Sequence, residues 1–345
     1  MGPAVIRTSK KLFSWSNTMF LVLCLVVMYI IFHNVAQLKE IKVLFEKMDD
    51  RWIVLALAAQ VITYFCTAGT YYLLLNKFKG TAQVKFGDLF KLSIVSMFIN
   101  QVVPSGGIGG NGFLFNEVTK RGVTQKKAWF TIVMECISLY VALALLLIVL
   151  PLLYALAHHG LPRFFLAVVI FGFLLYGFLA WLMTILSTKE TLQRMLKKVS
   201  RIQFLKHFIE GIVFSPQGTF DDHATAGPWG IFLKYKKASG ALIALQLGVF
   251  FADALTLLAL LQGLHIHTPF LVIVLGLILT FVAAAIPLSP GSLLLYESAM
   301  TFFYTSMGMP FQAALIVTLL YRVLSFWIPI VLGLGLYKHV QKEEL

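Results

Sequence analysis

Four ionisable residues stand inside long apolar stretches of this chain: Glu135, Asp253, Glu297 and Arg322. Glu117 lies close to the end of another. A charge at the centre of a bilayer costs roughly 2.5–3.5 kcal/mol on insertion scales, so such groups face a cavity or one another. Glu297 and Arg322 are suited to pair. The pair is either a tie that fixes packing, or a site where Arg322 meets a phosphate while a carboxylate meets a cationic group or a proton. Asp253, in F-F-A-D-A-L, is the residue best placed to bind a proton; the alternative is a hydrogen-bonded acid with a structural part only. Glu117 reads equally as a membrane-edge charge.

Two apolar stretches are interrupted by turn-forming residues. The first break is P-S-G-G-I-G-G-N-G, with Pro104, Ser105, Gly106, Gly107, Gly109, Gly110 and Asn111. The second is I-P-L-S-P-G-S, with Ser289, Pro290 and Gly291. A continuous span satisfies its own backbone and offers nothing to a polar solute. A broken one leaves N–H donors and a positive dipole end at the start of its return helix, which suits a phosphate or another anion. Asn111 is expected to cap the first return helix. Ser289 followed by Pro290 reads as the N-cap and first position of the second. The bland alternative is that the glycines allow a tight turn and close helix packing.

Other residues carry less. His158-His159 and His265-x-His267 lack a third ligand at a useful spacing and read as solvated loop histidines. Cys24, Cys66 and Cys136 each lie in an apolar run and read as small buried residues. Neither a phosphate-binding G-x-x-x-x-G-K-[ST] loop nor an H-E-x-x-H or G-x-S-x-G motif occurs. No metal and no cofactor is expected, and the chain is not read as an enzyme.

The elements that position these residues follow from composition. Of 345 residues, 59% are apolar and only 12% charged, with a net charge of +13. That excludes disorder and leaves too few charges to coat a soluble globule. The basic excess sits in loops beside the apolar runs, which is the positive-inside pattern of a membrane protein rather than a nucleic-acid surface. Runs long enough to span occupy 15–32, 52–75, 128–150, 164–186, 238–261 and 312–337, the first read as uncleaved. The interrupted stretches are too short. Fifteen helical residues reach about 22 Å, against a core of about 30 Å. Each is therefore read as a re-entrant hairpin, 88–118 and 270–307. The first has Lys or Arg at both ends and enters from the cytoplasm; the second has neither and enters from outside.

The expected fold is an all-α polytopic membrane protein, one integral membrane domain with six full spans and two re-entrant helical hairpins. Both termini are cytoplasmic. Residues 52–150 read span, hairpin, span, and residues 238–337 read the same with opposite orientation. Such an inverted-topology repeat is a transporter design. The polar loop 187–237 is placed in the cytoplasm. Within it, 190–212 has an apolar face opposite Arg194, Lys197, Lys198 and Arg201, the pattern of a basic amphipathic helix drawn to anionic lipid. The alternative for it is a cap on the protein's own cytoplasmic face.

The interrupted segments also carry a resemblance. F-I-N-Q-V-V-P-S-G-G-I-G-G (98–110), R-G-V-T-Q-K-K-A (121–128), I-P-L-S-P-G-S-L-L-L-Y-E-S-A (286–299), M-G-M-P-F-Q-A-A (307–314) and Y-R-V-L-S-F-W-I-P (321–329) resemble the lysylphosphatidylglycerol synthase transmembrane-region family. This is the flippase-like half of MprF-type proteins, and the resemblance covers most of 15–338. It implies movement of a lipid with a phosphate or other charged headgroup between leaflets of the bacterial inner membrane. Phe113, Leu114 and Phe115 stand where the family often has an Arg, and Met134-Glu135-Cys136 where it often has Glu-Arg. Tyr140 falls near a usual Asp, and Ser292 and Leu294 replace glycines, so headgroup contacts are expected to differ. The soluble aminoacyltransferase domain of fused relatives is not in this sequence, so lysyl transfer is not expected. The competing readings are an ion-coupled transporter of a small polar solute and a membrane-embedded lipid-modifying enzyme. The sequence leaves room for a homo-oligomer.

Overall fold

A computed structural model describes residues 48–77, 84–102, 107–186, 228–285 and 292–342. The expected span at 15–32 and the basic segment at 190–212 lie outside the described residues. Those described are built from helices: α1 (Asp50–Lys77), α2 (Phe86–Val102), α3 (Ile108–Lys120), α4 (Gln125–Ala157), α5 (Arg163–Leu186), α6 (Pro228–Lys234), α7 (Lys236–Gly263), α8 (Phe270–Ala284), α9 (Leu295–Ser306), α10 (Phe311–Arg322) and α11 (Ile328–Lys342). A π-helical turn, Val323–Trp327, joins α10 to α11. Among the described residues five helical stretches are long and apolar enough to cross a membrane: α1, α4, α5, α7 and the run Phe311–Tyr337. The protein is a helical membrane-spanning protein. Its outward faces carry Val54, Leu152, Leu156, Leu174 and Val331 exposed, as surfaces turned to lipid require.

The helices α1 and α7 pack along their length and run antiparallel. Trp52 lies at Gly263, Gln60 at Asp253 and Thr256, Cys66 at Gly248, and Leu245 at Gly69. Numbers rise on one helix as they fall on the other. Small residues at the contacts let the backbones approach, which replaces the absent hydrophobic drive between helices in lipid.

The short helices form two antiparallel pairs. In the first, α2 and α3, Gly110 presses against the Ser96 carbonyl and the Asn100 side chain, and Gly110 N–H donates to Asn100 Oδ1 at 2.7 Å. In the second, α8 and α9, Gly276 lies under the Tyr304 ring and Tyr304 Oη donates to the Ile273 carbonyl at 2.9 Å. The two pairs also reach across the molecule. α2 packs on α11, with Gly333 against Phe98, and α8 packs on α4 and on α5.

The first break differs from expectation. The return helix α3 begins at Ile108, so Gly109, Gly110, Asn111 and Gly112 are helical rather than part of a loop. Gly107, at φ 90°, holds the N-cap position. Asn111 is inside the first turn, its N–H bonded to the Gly107 carbonyl at 3.2 Å, and does not cap the helix. The Asn100 side chain supplies an acceptor from the facing helix instead. Packing overrides glycine's poor helix propensity, since a Cβ at position 110 has no room against Ser96 and Asn100. In the second pair Leu294 stands at the N-cap of α9, at φ 68°. Ser289, Pro290 and Gly291 lie outside the described residues.

Candidate functional site

Asp253 is carried on α7 and is buried, 6% exposed. Gln60 and Thr63 stand one turn apart on α1 and both reach it. Gln60 Nε2 donates to Asp253 Oδ1 at 3.0 Å and to Thr256 Oγ1 at 3.1 Å. Thr63 Oγ1 donates to the same Asp253 oxygen at 3.1 Å. The carboxylate is thus held by an amide and a hydroxyl of the facing helix. Sequence reasoning singled out Asp253 but passed over Gln60 and Thr63. Their signal was available: a Q-x-x-T pair puts two polar groups on one face of an otherwise apolar span.

Glu297 and Arg322 come together as their types suggest. Arg322 Nε donates to Glu297 Oε1 at 2.6 Å. Glu297 is in the first turn of α9, where the helix dipole favours a carboxylate, and Arg322 lies within the last span, directly before its π-helical turn. The guanidinium lies between two rings, 4.6 Å from the Tyr296 centroid and 4.4 Å from that of Phe326. Cation–π contact adds to the ion pair there. The second oxygen, Glu297 Oε2, is buried without a hydrogen-bond partner among the described residues.

The π-helical turn next to Arg322 has a local cause. Pro329 lacks an N–H, so the carbonyl four residues earlier, on Ser325, loses its helical donor. Gln101, near the end of α2, takes that place, with Nε2 donating to the Ser325 carbonyl at 2.9 Å. A freed carbonyl in a membrane helix needs such a partner, and π turns recur where helices carry function. Gln101 Oε1 and Ser325 Oγ are likewise buried without partners among the described residues. Sequence reasoning read this span as continuous and did not select Gln101 or Ser325. The proline at 329 was the available sign.

Glu135 faces a third polar group, on α4. Cys136 Sγ lies 3.5 Å from Glu135 Oε2, and Asn111 Nδ2 donates to Cys136 Sγ at 3.8 Å. Gln246 of α7 donates to Ser138 Oγ at 3.4 Å, one turn from Glu135. Asn111 therefore connects the start of α3 to α4 through its side chain. Glu117 has a different setting. It is buried at the C-terminal end of α3 and bound by its own helix end, 3.0 Å from Lys120 Nζ and 2.7 Å from Arg121 Nη1.

Gly107, Gly109 and Gly110 belong to the cap and first turn of α3. Pro104, Ser105 and Gly106, and the basic set Arg194, Lys197, Lys198 and Arg201, lie outside the described residues. Among the described residues no group of three or more His, Cys, Asp or Glu is placed to hold a metal ion. The groups that do converge are carboxylates, amides, hydroxyls and one guanidinium. They are equipped to bind protons, amines and phosphate oxygens.

The family model of the lysylphosphatidylglycerol synthase transmembrane region matches residues 18–333. The chain belongs to that family, which relates it to lipid handling in membranes. Comparison with curated proteins gives no match.

Proposed function

We propose that this member of the lysylphosphatidylglycerol synthase transmembrane-region family is a lipid translocase. It moves a polar or charged lipid between leaflets of the bacterial inner membrane, past a midplane site between two re-entrant hairpins, without altering the lipid chemically. One observation carries the reading. The Gln101–Ser325 and Arg322–Glu297 bonds bring the end of α2 and the start of α9 to one short stretch of the last span, residues 322–325. Each of those ends adjoins one of the two sequence breaks. Arg322 there is suited to a headgroup phosphate, and Glu297 Oε2 to a donor.

Further features support the hairpins and the inverted repeat. The four short helices have 17, 13, 15 and 12 residues. At 1.5 Å each they reach about 18–26 Å, less than the bilayer core, and each pair turns back on itself. Lys and Arg flank α2 and α3, whereas none occurs from 264 to 310. That difference favours entry from opposite faces, with both termini cytoplasmic. The packing also exchanges between halves. The first spans α1 and α7 pair antiparallel with each other, α2 packs on the last span of the second half, and α8 on α4 of the first. A pseudo-two-fold axis in the membrane plane produces this pattern. The basic segment around Arg194 and Lys198 would draw anionic lipid to the cytoplasmic face.

The test is reconstitution of the purified chain in vesicles of phosphatidylcholine and phosphatidylglycerol that carry a fluorescent phosphatidylglycerol. Exposure of the label to a membrane-impermeant quencher measures movement. The expected result is protein-dependent exchange of unaltered lipid, slowed at least tenfold by Arg322→Ala and by Glu297→Gln. Exchange no faster than in protein-free vesicles, or uptake of a water-soluble solute in its place, overturns the reading. Conversion of the lipid to a new species would make the protein an enzyme instead.

A further inference from the structure

The α1–α7 crossing carries a symmetry that the function above does not use. Gln60 and Gln246 are 186 positions apart, and the same offset relates Ala58 to Ala244, Phe65 to Phe251, Ala68 to Ala254 and Thr70 to Thr256. Thr70 and Thr256 even make the same bond, each hydroxyl donating to the carbonyl four residues earlier. The two glutamines therefore hold equivalent places in two related spans. Each reaches out of its own half. Gln60 donates to Asp253 and Thr256 of the second half. Gln246 donates to Ser138 of the first, beside Glu135. Each half thus presents a buried carboxylate near a glutamine of the other.

Neither carboxylate is paired with Lys, Arg or His among the described residues; the ion pairs described there belong to Glu117 and Glu297. The titratable groups that face Asp253 are Tyr64 from α1, Tyr296 from α9 and Tyr321 from α10. Those that face Glu135 are Tyr71 from α1, with Cys136 and Tyr140 on its own helix. The adjoining α8 contributes no charged residue. A cation would lock a carboxylate in its charged form. A glutamine does not. Its amide donates N–H to a carboxylate and, turned over, accepts the O–H of a carboxylic acid. The hydroxyl of Thr63, which donates to Asp253, is equally indifferent.

We propose that Asp253 and Glu135, each beside one of the two symmetry-related glutamines, are a pair of proton-binding sites that couple lipid movement to a proton gradient. The proposal rests on the translocase reading. Rocking of the two halves about the α1–α7 crossing exposes one carboxylate to each face in turn. A proton from the face at higher concentration binds a carboxylate oxygen. The site then turns inward and the same proton leaves to the other face, so no bond other than O–H forms or breaks. The glutamine amide follows by reversing its donor and acceptor ends.

Two measurements test it, on the full chain. In the vesicles above, a pH difference is imposed while potassium and valinomycin hold the membrane potential at zero. One pH unit is expected to bias the labelled phosphatidylglycerol about tenfold between leaflets, at one proton per lipid. Asp253→Asn and Glu135→Gln each abolish the bias. Separately, infrared difference spectra of the wild-type protein between acid and alkaline pH should show two carboxylic acid C=O bands that shift in D2O. One is lost in Asp253→Asn and the other in Glu135→Gln. Lipid exchange indifferent to the gradient, with no such bands, overturns the inference and leaves the translocase reading intact. Bands without any lipid exchange refute the translocase reading and leave the two proton sites standing. Bands that persist in both variants overturn the assignment.

Discussion

The bond between Gln60 and Asp253 is open to a quantitative test by a double-mutant cycle. Gln60→Leu removes two donations, to Asp253 at 3.0 Å and to Thr256 at 3.1 Å. Asp253→Leu removes the acceptor of Gln60 and of Thr63. Hydrogen bonds between membrane helices average about 0.6 kcal/mol and reach about 1.7 kcal/mol. Each single variant therefore loses about 1–2 kcal/mol in its bonds, and leaves a buried partner short of one. The double variant removes both ends of the shared bond at once, so its cost falls short of the sum of the singles. The shortfall is the coupling, expected at about 0.6–1.7 kcal/mol. Unfolding of the purified protein by SDS in mixed micelles gives the free energies. Gln246→Leu combined with Asp253→Leu is the control and should be additive, because Gln246 bonds to Ser138 on another helix. A Gln60–Asp253 coupling within about 0.3 kcal/mol of zero, the ordinary error of additivity, would refute the polar interface.

Three further outcomes follow from single sites. Gly110→Ala should destabilise by up to about 2 kcal/mol in the same assay, because overpacking of about 1–3 kcal/mol against Ser96 and Asn100 outweighs a helix-propensity gain of about 1 kcal/mol. Pro329→Ala restores the N–H that Ser325 lacks, so Gln101→Leu should cost about 0.6 kcal/mol less in that background than in the wild type. Arg322→Ala leaves Glu297 buried and unpaired, and should lower stability by about 3–5 kcal/mol, whereas Arg322→Ala with Glu297→Ala should lose less than the single change.

The five spans that fall on described residues were legible because hydropathy and length report directly on a bilayer. Those at 52–75 and 238–261 appear as Asp50–Lys77 and Lys236–Gly263, the ends differing by one turn or less. The span expected to end at 150 continues to Ala157, through Pro151, since one missing N–H does not stop a long apolar helix. The Glu297–Arg322 pair was legible for a similar reason, as opposite charges in an apolar setting have few other partners. What stayed hidden depends on tertiary contact. Nothing in I-G-G-N-G says helix until Gly110 meets Ser96 and Asn100, and Asn100 looks like any polar residue in an apolar run until Gly110 N–H points at it. Gln60, Gln101 and Gln246 carry no formal charge to mark them in the sequence, although a membrane interior makes an uncharged amide nearly as conspicuous.

The difference between a charged pair and an amide contact matters for mechanism. An ion pair such as Glu297–Arg322 is costly to separate in a low-dielectric setting, because each partner left alone is a buried charge. It is suited to hold a fixed point, and it lies one turn from Ser325, where Gln101 of α2 bonds to the last span. Amide and hydroxyl bonds between membrane helices are individually weak, since the separated helices find substitutes. The α1–α7 crossing is made of such bonds, with Gly69 and Gly248 keeping the helices close. An interface of that kind is able to exchange partners at small cost while it stays dry and in register. The rocking proposed for the two halves, around a site that stays together, would require this division between exchangeable and fixed polar contacts. On that proposal, a chain whose crossing were held by a Lys or Arg at position 60, with Asp253 in place, would fold as tightly and lose lipid exchange.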